Sequence, residues 1–159
     1  MKKFILFVSA VVLTVTLNSC SKSDSGSSSP RGTVTMKING TSKTFNTVVV
    51  NQHVYNAGTT DEYTELTATG IVGTDATEYV TFITDKGVLG ADAIYSFEYY
   101  KNGQIYYSSG GGSFAANVTT NNTSKKLIGS FSGILNGNDS TTGDPITVSL
   151  TNGTFNVQY

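Results

Sequence analysis

From Thr33 onward apolar residues alternate with polar ones, and no window of a dozen residues repeats the i, i+3, i+4, i+7 spacing of an amphipathic helix. A period of two belongs to strands, because successive side chains on extended backbone point to opposite faces. Val34, Met36 and Ile38 alternate with Thr35 and Lys37 and run into Asn39-Gly40, a dipeptide suited to a two-residue turn with positive φ. Further strands are expected over 43–50, 63–72, 78–84, 94–101, 104–108, 113–119, 126–135, 146–150 and 154–159, about ten in all. Between them lie Asn102-Gly103, Asn152-Gly153, Asp85-Lys86-Gly87, Gly110 to Gly112, Asn121-Asn122 and the polar stretch 136–144, all turn chemistry. Turn signals every ~8 to 12 residues predict an all-β domain, either an antiparallel β-sandwich or a closed up-and-down barrel of short strands. Alternation places Val34, Met36, Ile38, Val80, Phe82, Phe97 and Phe131 inside. It also places Ile146, Val148 and Leu150 opposite Phe155 and Val157 across Asn152-Gly153, which predicts a C-terminal hairpin.

Residues 1–31 break this pattern. Lys2 and Lys3 precede an apolar run from Phe4 to Leu17, interrupted only by Ser9, Thr14 and Thr16. That length fits the ~7 to 15 residues of a signal-peptide core and falls short of the ~20 a spanning helix needs. Leu17-Asn18-Ser19-Cys20 resembles the lipobox of bacterial lipoproteins. The resemblance implies cleavage before Cys20 and diacylation of its thiol, and each acyl CH₂ buried in a bilayer contributes ~0.8 kcal/mol. The segment SKSDSGSSSPR that follows cannot bury enough apolar area to fold and reads as a tether with an r.m.s. reach of ~20 Å. The expected division is therefore a signal peptide over 1–19, a lipidated Cys20 and Ser-rich tether over 20–31, and a β-domain over 32–159. Ser21 after the cysteine resembles the pattern of lipoproteins released to the outer membrane, which leaves a periplasmic and a cell-surface face both open.

Composition narrows the function. Only 13% of residues are charged, and the segment after Arg31 holds ten acids against six lysines. Lys125-Lys126 is its only basic pair, which argues against nucleic acid as a partner and against a polybasic grip on anionic lipid. A single cysteine excludes an intrachain disulfide framework and Cys-based zinc clusters. A single histidine, His53, excludes His-pair metal motifs, and neither a metal nor a cofactor is expected.

The string Lys126-Leu127-Ile128-Gly129-Ser130-Phe131-Ser132-Gly133, followed by Ile146-Thr147-Val148-Ser149-Leu150-Thr151-Asn152-Gly153-Thr154-Phe155, resembles a pattern in small uncharacterised lipoproteins of the Bacteroidota that end in a β-domain of unknown function. Met36-Lys37-Ile38-Asn39-Gly40 is similar to their opening strand, although Phe45 stands where a tryptophan is usual. The resemblance implies location and fold type and carries over no catalytic residue.

Reactive chemistry is sparse. No G-x-S-x-G string exists to seat a nucleophile, and Gly129 to Gly133 has Phe131 at its centre. Asp61, Glu62, Glu65, Glu78, Asp92 and Glu98 are the acids that could pair for glycoside hydrolysis. Asn136 to Asp139 with Asp144 offers oxygen donors of the kind Ca²⁺ takes, without the terminal Glu of an EF-hand. Asp139-Ser140-Thr141 resembles the short acceptor of O-glycosylation in exported Bacteroidota proteins. What stands out is an aromatic hairpin about Asn102-Gly103, in which Tyr99 faces Tyr106 and Tyr107 faces Glu98. One face should carry Tyr95, Phe97, Tyr99 and Tyr106, the other Tyr100, Ile105 and Tyr107. Tyrosine rings with free hydroxyls stack on sugars or anchor protein partners. The sequence thus points to a lipid-anchored, non-enzymatic binding or structural module of the envelope, with Tyr99, Tyr100, Tyr106 and Tyr107 as candidate contacts for a glycan or an envelope protein. A lipocalin-like carrier with a cavity lined by Tyr95, Phe97 and Phe131 is the alternative, and a glycan-acting hydrolase the next.

Overall fold

The computed structural model describes residues 32–108, 113–122 and 124–159. The leader, Cys20 and the tether lie outside these residues, as do Gly110 to Gly112. Ten strands form: β1 (Gly32–Ile38), β2 (Thr41–Phe45), β3 (Thr47–Tyr55), β4 (Tyr63–Val72), β5 (Asp75–Asp85), β6 (Ile94–Lys101), β7 (Gln104–Tyr107), β8 (Ala115–Asn121), β9 (Lys126–Asn138) and β10 (Pro145–Gln158). They make one antiparallel sheet in the order β2-β1-β10-β9-β7-β6-β5-β4-β3, with β8 branching off β9. The expected all-β domain is therefore a single sheet, curled into a half-barrel that brings β1 and β2 near β3 and β4.

One extended stretch of chain supplies both ends of that sheet. Its first part pairs with β1, Phe45 opposite Val34, and its second with β4, Thr47 opposite Ile71. The strand expected over 43–50 is thus bent at Asn46 rather than continuous. The bend is held because Asn46 Oδ1 accepts the Gly73 N–H at 2.7 Å. Phe45 and Val48 turn inward on either side and are both buried. Gly70 leaves room for them, since a Cβ there would lie 3.1 Å from the Phe45 Cβ.

The inside of the curl is filled by phenylalanine. Phe97 meets Phe131 at 4.7 Å between ring centroids and Phe114 at 4.9 Å, and Phe82 meets Phe155 at 4.9 Å. These rings join β5, β6, β9 and β10, and each fully buried one stabilises by ~1.5 to 3 kcal/mol relative to exposure. The interior expected for a carrier, lined by Phe97 and Phe131, is consequently packed with rings, and Tyr95 is not part of it.

Two of the four Asn-Gly dipeptides are turns: Asn39 and Gly40 have φ of 49° and 84°, Asn102 and Gly103 of 50° and 87°. Asn136-Gly137 lies within β9. Asn152-Gly153 is not a turn either, and the predicted C-terminal hairpin is replaced by one long strand. β10 runs unbroken between β1 and β9, and Asn152, at φ 53°, makes a bulge with Thr151 opposite the single residue Ser132. A bulge and a two-residue turn put Leu150 and Phe155 on the same side alike, so alternation cannot separate them. The bulge wins because β10 then pairs along both edges and Gly153 seats under the Phe131 ring.

A Cβ at residue 153 would overlap the Phe131 ring and carbonyl. Gly153→Val is expected to lower stability in urea melts by at least ~1 to 3 kcal/mol, as overpacking does. Asn152→Gly, which keeps the positive φ, should change it by less than ~1 kcal/mol.

Candidate functional site

The β6–β7 hairpin forms in the predicted register, with Tyr99 opposite Tyr106, Tyr100 opposite Ile105 and Glu98 opposite Tyr107. Its four tyrosines part company. On the concave face Tyr99 is only 2% exposed and stacks on half-buried Tyr106, centroids 5.8 Å apart. On the convex face half-buried Tyr100 stacks on Tyr79 at 4.6 Å and 14°, while Tyr107 is 39% exposed. Tyr99 is therefore a buried wall rather than a surface contact. Tyr95 departs from expectation too. The β5–β6 ladder steps from Ile83 opposite Ser96 to Thr84 opposite Ile94, and that irregularity turns Tyr95 outward, where its hydroxyl donates to Glu65 Oε2 at 2.8 Å.

Beneath Tyr99 lies a polar tie across the gap in the curl. The Tyr99 hydroxyl donates to Glu78 Oε1 at 2.7 Å, and Lys43 Nζ on β2 donates to Glu78 Oε2 at 2.8 Å. Glu78 on β5 is 8% exposed. Burial pushes its carboxyl up, but the hydrogen bonds from Lys43 and Tyr99 and the charges of Lys43 and Lys101 outweigh that, and the net is downward. Burial first, and then the bond to Glu78, push the Tyr99 phenol the other way, far above its ordinary range.

These groups open into a cavity of about 500 Å³ at the end of the half-barrel where the Asn39-Gly40 and Asn102-Gly103 turns and the β9–β10 loop meet. Tyr99 and Tyr106 form a wall, Ile38, Ile146 and Val148 an apolar side, and Lys43 and Lys101 bring positive charge. Ile146, in phase with the buried Val148 and Leu150, is only half-buried because it faces this cavity. Gln104 fixes the mouth, its Nε2 donating to the Asn138 carbonyl at 2.6 Å and its Oε1 accepting the Ser140 N–H at 3.1 Å. Its volume falls within the ~300 to 1,000 Å³ of small-molecule sites, but it is open to solvent and lined mostly by polar residues, Asp139 among them, where such sites are mostly apolar.

The other candidates are not drawn together. Asn136 to Asn138 belong to β9, and Asp139 caps its own loop, accepting the N–H groups of Thr141 at 2.8 Å and Thr142 at 3.0 Å. Those bonds hold its carboxyl below the usual range. Among the described residues no three His, Cys, Asp or Glu side chains gather as metal ligands. His53 is exposed, edge-on to Tyr55 at 4.4 Å. Asp61, Glu62 and Asp92 are exposed, and Glu98 is half-buried on the convex face.

Sequence reasoning passed over Lys43, and it named Glu78 only as one of six acids that could pair for glycoside hydrolysis, not as the partner of Lys43 and Tyr99. The available sign was parity, since Glu78 precedes Val80 and Phe82 on the inward side of one strand, where an acid demands partners. Tyr99→Phe is expected to cost ~1 to 3 kcal/mol by leaving Glu78 Oε1 without its donor. Because the folded-state Glu78 carboxyl lies below its ordinary value, its contribution is present above the unfolded pKa and is lost as pH falls through the folded one. Urea midpoints followed from pH 7 into the acid range should fall more steeply for the native chain than for Lys43→Met.

No family model matches the chain, and no curated protein or solved structure does either, so the functional reading rests on the chemistry of these side chains alone.

Proposed function

We propose that the chain is a lipoprotein of the bacterial outer membrane, anchored through acylated Cys20, whose β-domain is a non-enzymatic module that binds an envelope glycan. The observation that carries this reading is the cavity beside the aromatic hairpin. A pyranose presents apolar C–H faces and a rim of hydroxyls. The Tyr106 ring and the Ile146 and Val148 side chains suit the faces, and Lys43, Lys101, Asn102 and Ser140 suit the rim. Glu78, the buried carboxylate nearest the cavity, is committed to Lys43 and Tyr99, which favours holding a ligand over donating a proton to it. A second reading, carriage of a small apolar ligand, is favoured by the side formed by Ile38, Ile146 and Val148.

A glycan-array and peptidoglycan-fragment screen on soluble residues 32–159 tests both. Binding is expected, and Tyr106→Ala should weaken it at least tenfold while Tyr107→Ala on the convex face leaves it within twofold. Binding lost only in Tyr100→Ala and Tyr107→Ala would move the site to the convex face. Absence of glycan binding together with uptake of a fluorescent fatty acid would establish the carrier. For the anchor, Cys20→Ala should shift the full chain from the membrane pellet to the soluble fraction with its fold intact, and a variant that still sediments would sink that assignment.

A further inference from the structure

Exposed large apolar side chains are unevenly placed. Of the eight among the described residues, Val54, Tyr55, Tyr63, Val88, Leu89 and Tyr95 gather at the end of the half-barrel away from the cavity. The Tyr55 and Tyr63 rings stack at 4.9 Å, and Tyr95 bonds Glu65 two residues along β4 from Tyr63. The Lys86 N–H donates to the Thr64 carbonyl at 2.8 Å, which brings the β5–β6 loop with Val88 and Leu89 to the base of the same hairpin.

The chain enters at this end as well. Gly32 pairs with Val157, and two residues on the Tyr159 hydroxyl donates to Asn121 Oδ1 at 3.1 Å. Asn121 Nδ2 in turn donates to the Val88 carbonyl, also at 3.1 Å. Lys86 lies over the Tyr159 ring at 5.9 Å, and Lys125 is held by the Tyr159 N–H. Gly32 and Ile38, at the two ends of β1, are ~20 Å apart at ~3.3 Å per residue, which separates this rim from the cavity.

We propose that this rim seats on the interfacial layer of a lipid bilayer, with the cavity pointing away from it. Tyrosines and lysines around a few aliphatic side chains match that layer, where ring bodies and methylene stems are buried while hydroxyls and ammonium groups stay wet. The occupant is fixed by where the chain leads. The proposal rests on the anchor reading in one respect: Cys20 stands twelve residues before Gly32, so a lipid there holds this end within ~20 Å of the headgroups. At such proximity a weak apolar contact suffices. Acids Asp61, Glu62 and Asp92 outbid any polybasic attraction at this end, so the contact is apolar and should not depend on salt.

The test holds the domain on vesicles without the native lipid, so that it stands or falls apart from the anchor. Residues 21–159 with an N-terminal hexahistidine tag are bound to phosphatidylcholine vesicles containing a nickel-chelating lipid and a nitroxide lipid. A nitrobenzoxadiazole label sits on Leu89→Cys at the rim or on Ser140→Cys at the cavity mouth, both exposed positions. Quenching at 89 should exceed that at 140 several-fold, equally in 0.1 and 0.5 M NaCl, and Val88→Asp should bring it down to the level at 140. Equal quenching at the two positions, stronger quenching at 140, or an effect abolished by salt would overturn the docking. A label at 89 that is unquenched would likewise overturn it.

Discussion

β2 and β3 lie at opposite ends of one sheet and yet flank a single residue, Asn46. Every other strand has to fit inside the curl that this adjacency imposes. The sheet cannot lie flat, because the chain leaving one edge must at once begin the other. The concave side so formed is narrow enough for phenylalanine rings from β5, β6, β9 and β10 to meet, and those contacts then reinforce the curl. The same geometry explains how two edges avoid becoming a template for other chains. β2 is only five residues long, and the last five residues of β3 stand exposed on both faces, polar at Asn51, Gln52 and His53.

How much of this was legible in the sequence depends on the kind of information. Period-two alternation located β4 and β6 to the residue and named most of the core, because inward parity is a local property of a strand. Parity failed where one residue is added without changing side. The bulge at Thr151 and Asn152 mimics a hairpin in that respect, and the irregularity between Ile94 and Ser96 reversed Tyr95. The bend at Asn46 left no mark, since nothing local distinguishes an extended segment that changes partner from one that does not. The hairpin tyrosines were visible, but which face was concave was not, as that is fixed by strands far away in sequence. Lys43 and Glu78 are 35 positions apart and come together only because the sheet curls.

The two faces of the β6–β7 hairpin illustrate how one motif takes two roles. Tyr99 and Tyr106 share a side with Phe97 and so grade from core to cavity wall as the curl opens toward its end. Tyr100 and Tyr107 share the other side with Glu98 and remain a convex stripe, partly covered by Tyr79. Tyrosine suits both, since the ring fills space and the hydroxyl accepts whatever polarity the site presents. Gln104, at the turn of the same hairpin, joins it to the β9–β10 loop, so the cavity mouth is shaped by contacts already made before any ligand arrives.

The bond between Lys43 and Glu78 has a further consequence for what such a cavity can hold. Lys43 lines the cavity and at the same time spans the open side of the curl. A ligand anion that drew Lys43 to itself would strip a buried carboxylate of its counter-charge, so part of the attraction would be cancelled by strain in the scaffold. Neutral ligands meet no such opposition, and anions meet it unless they address Lys101. The charge balance at the cavity and the mechanical closure of the curl are thereby one electrostatic equilibrium, and displacing Lys43 would disturb both at once.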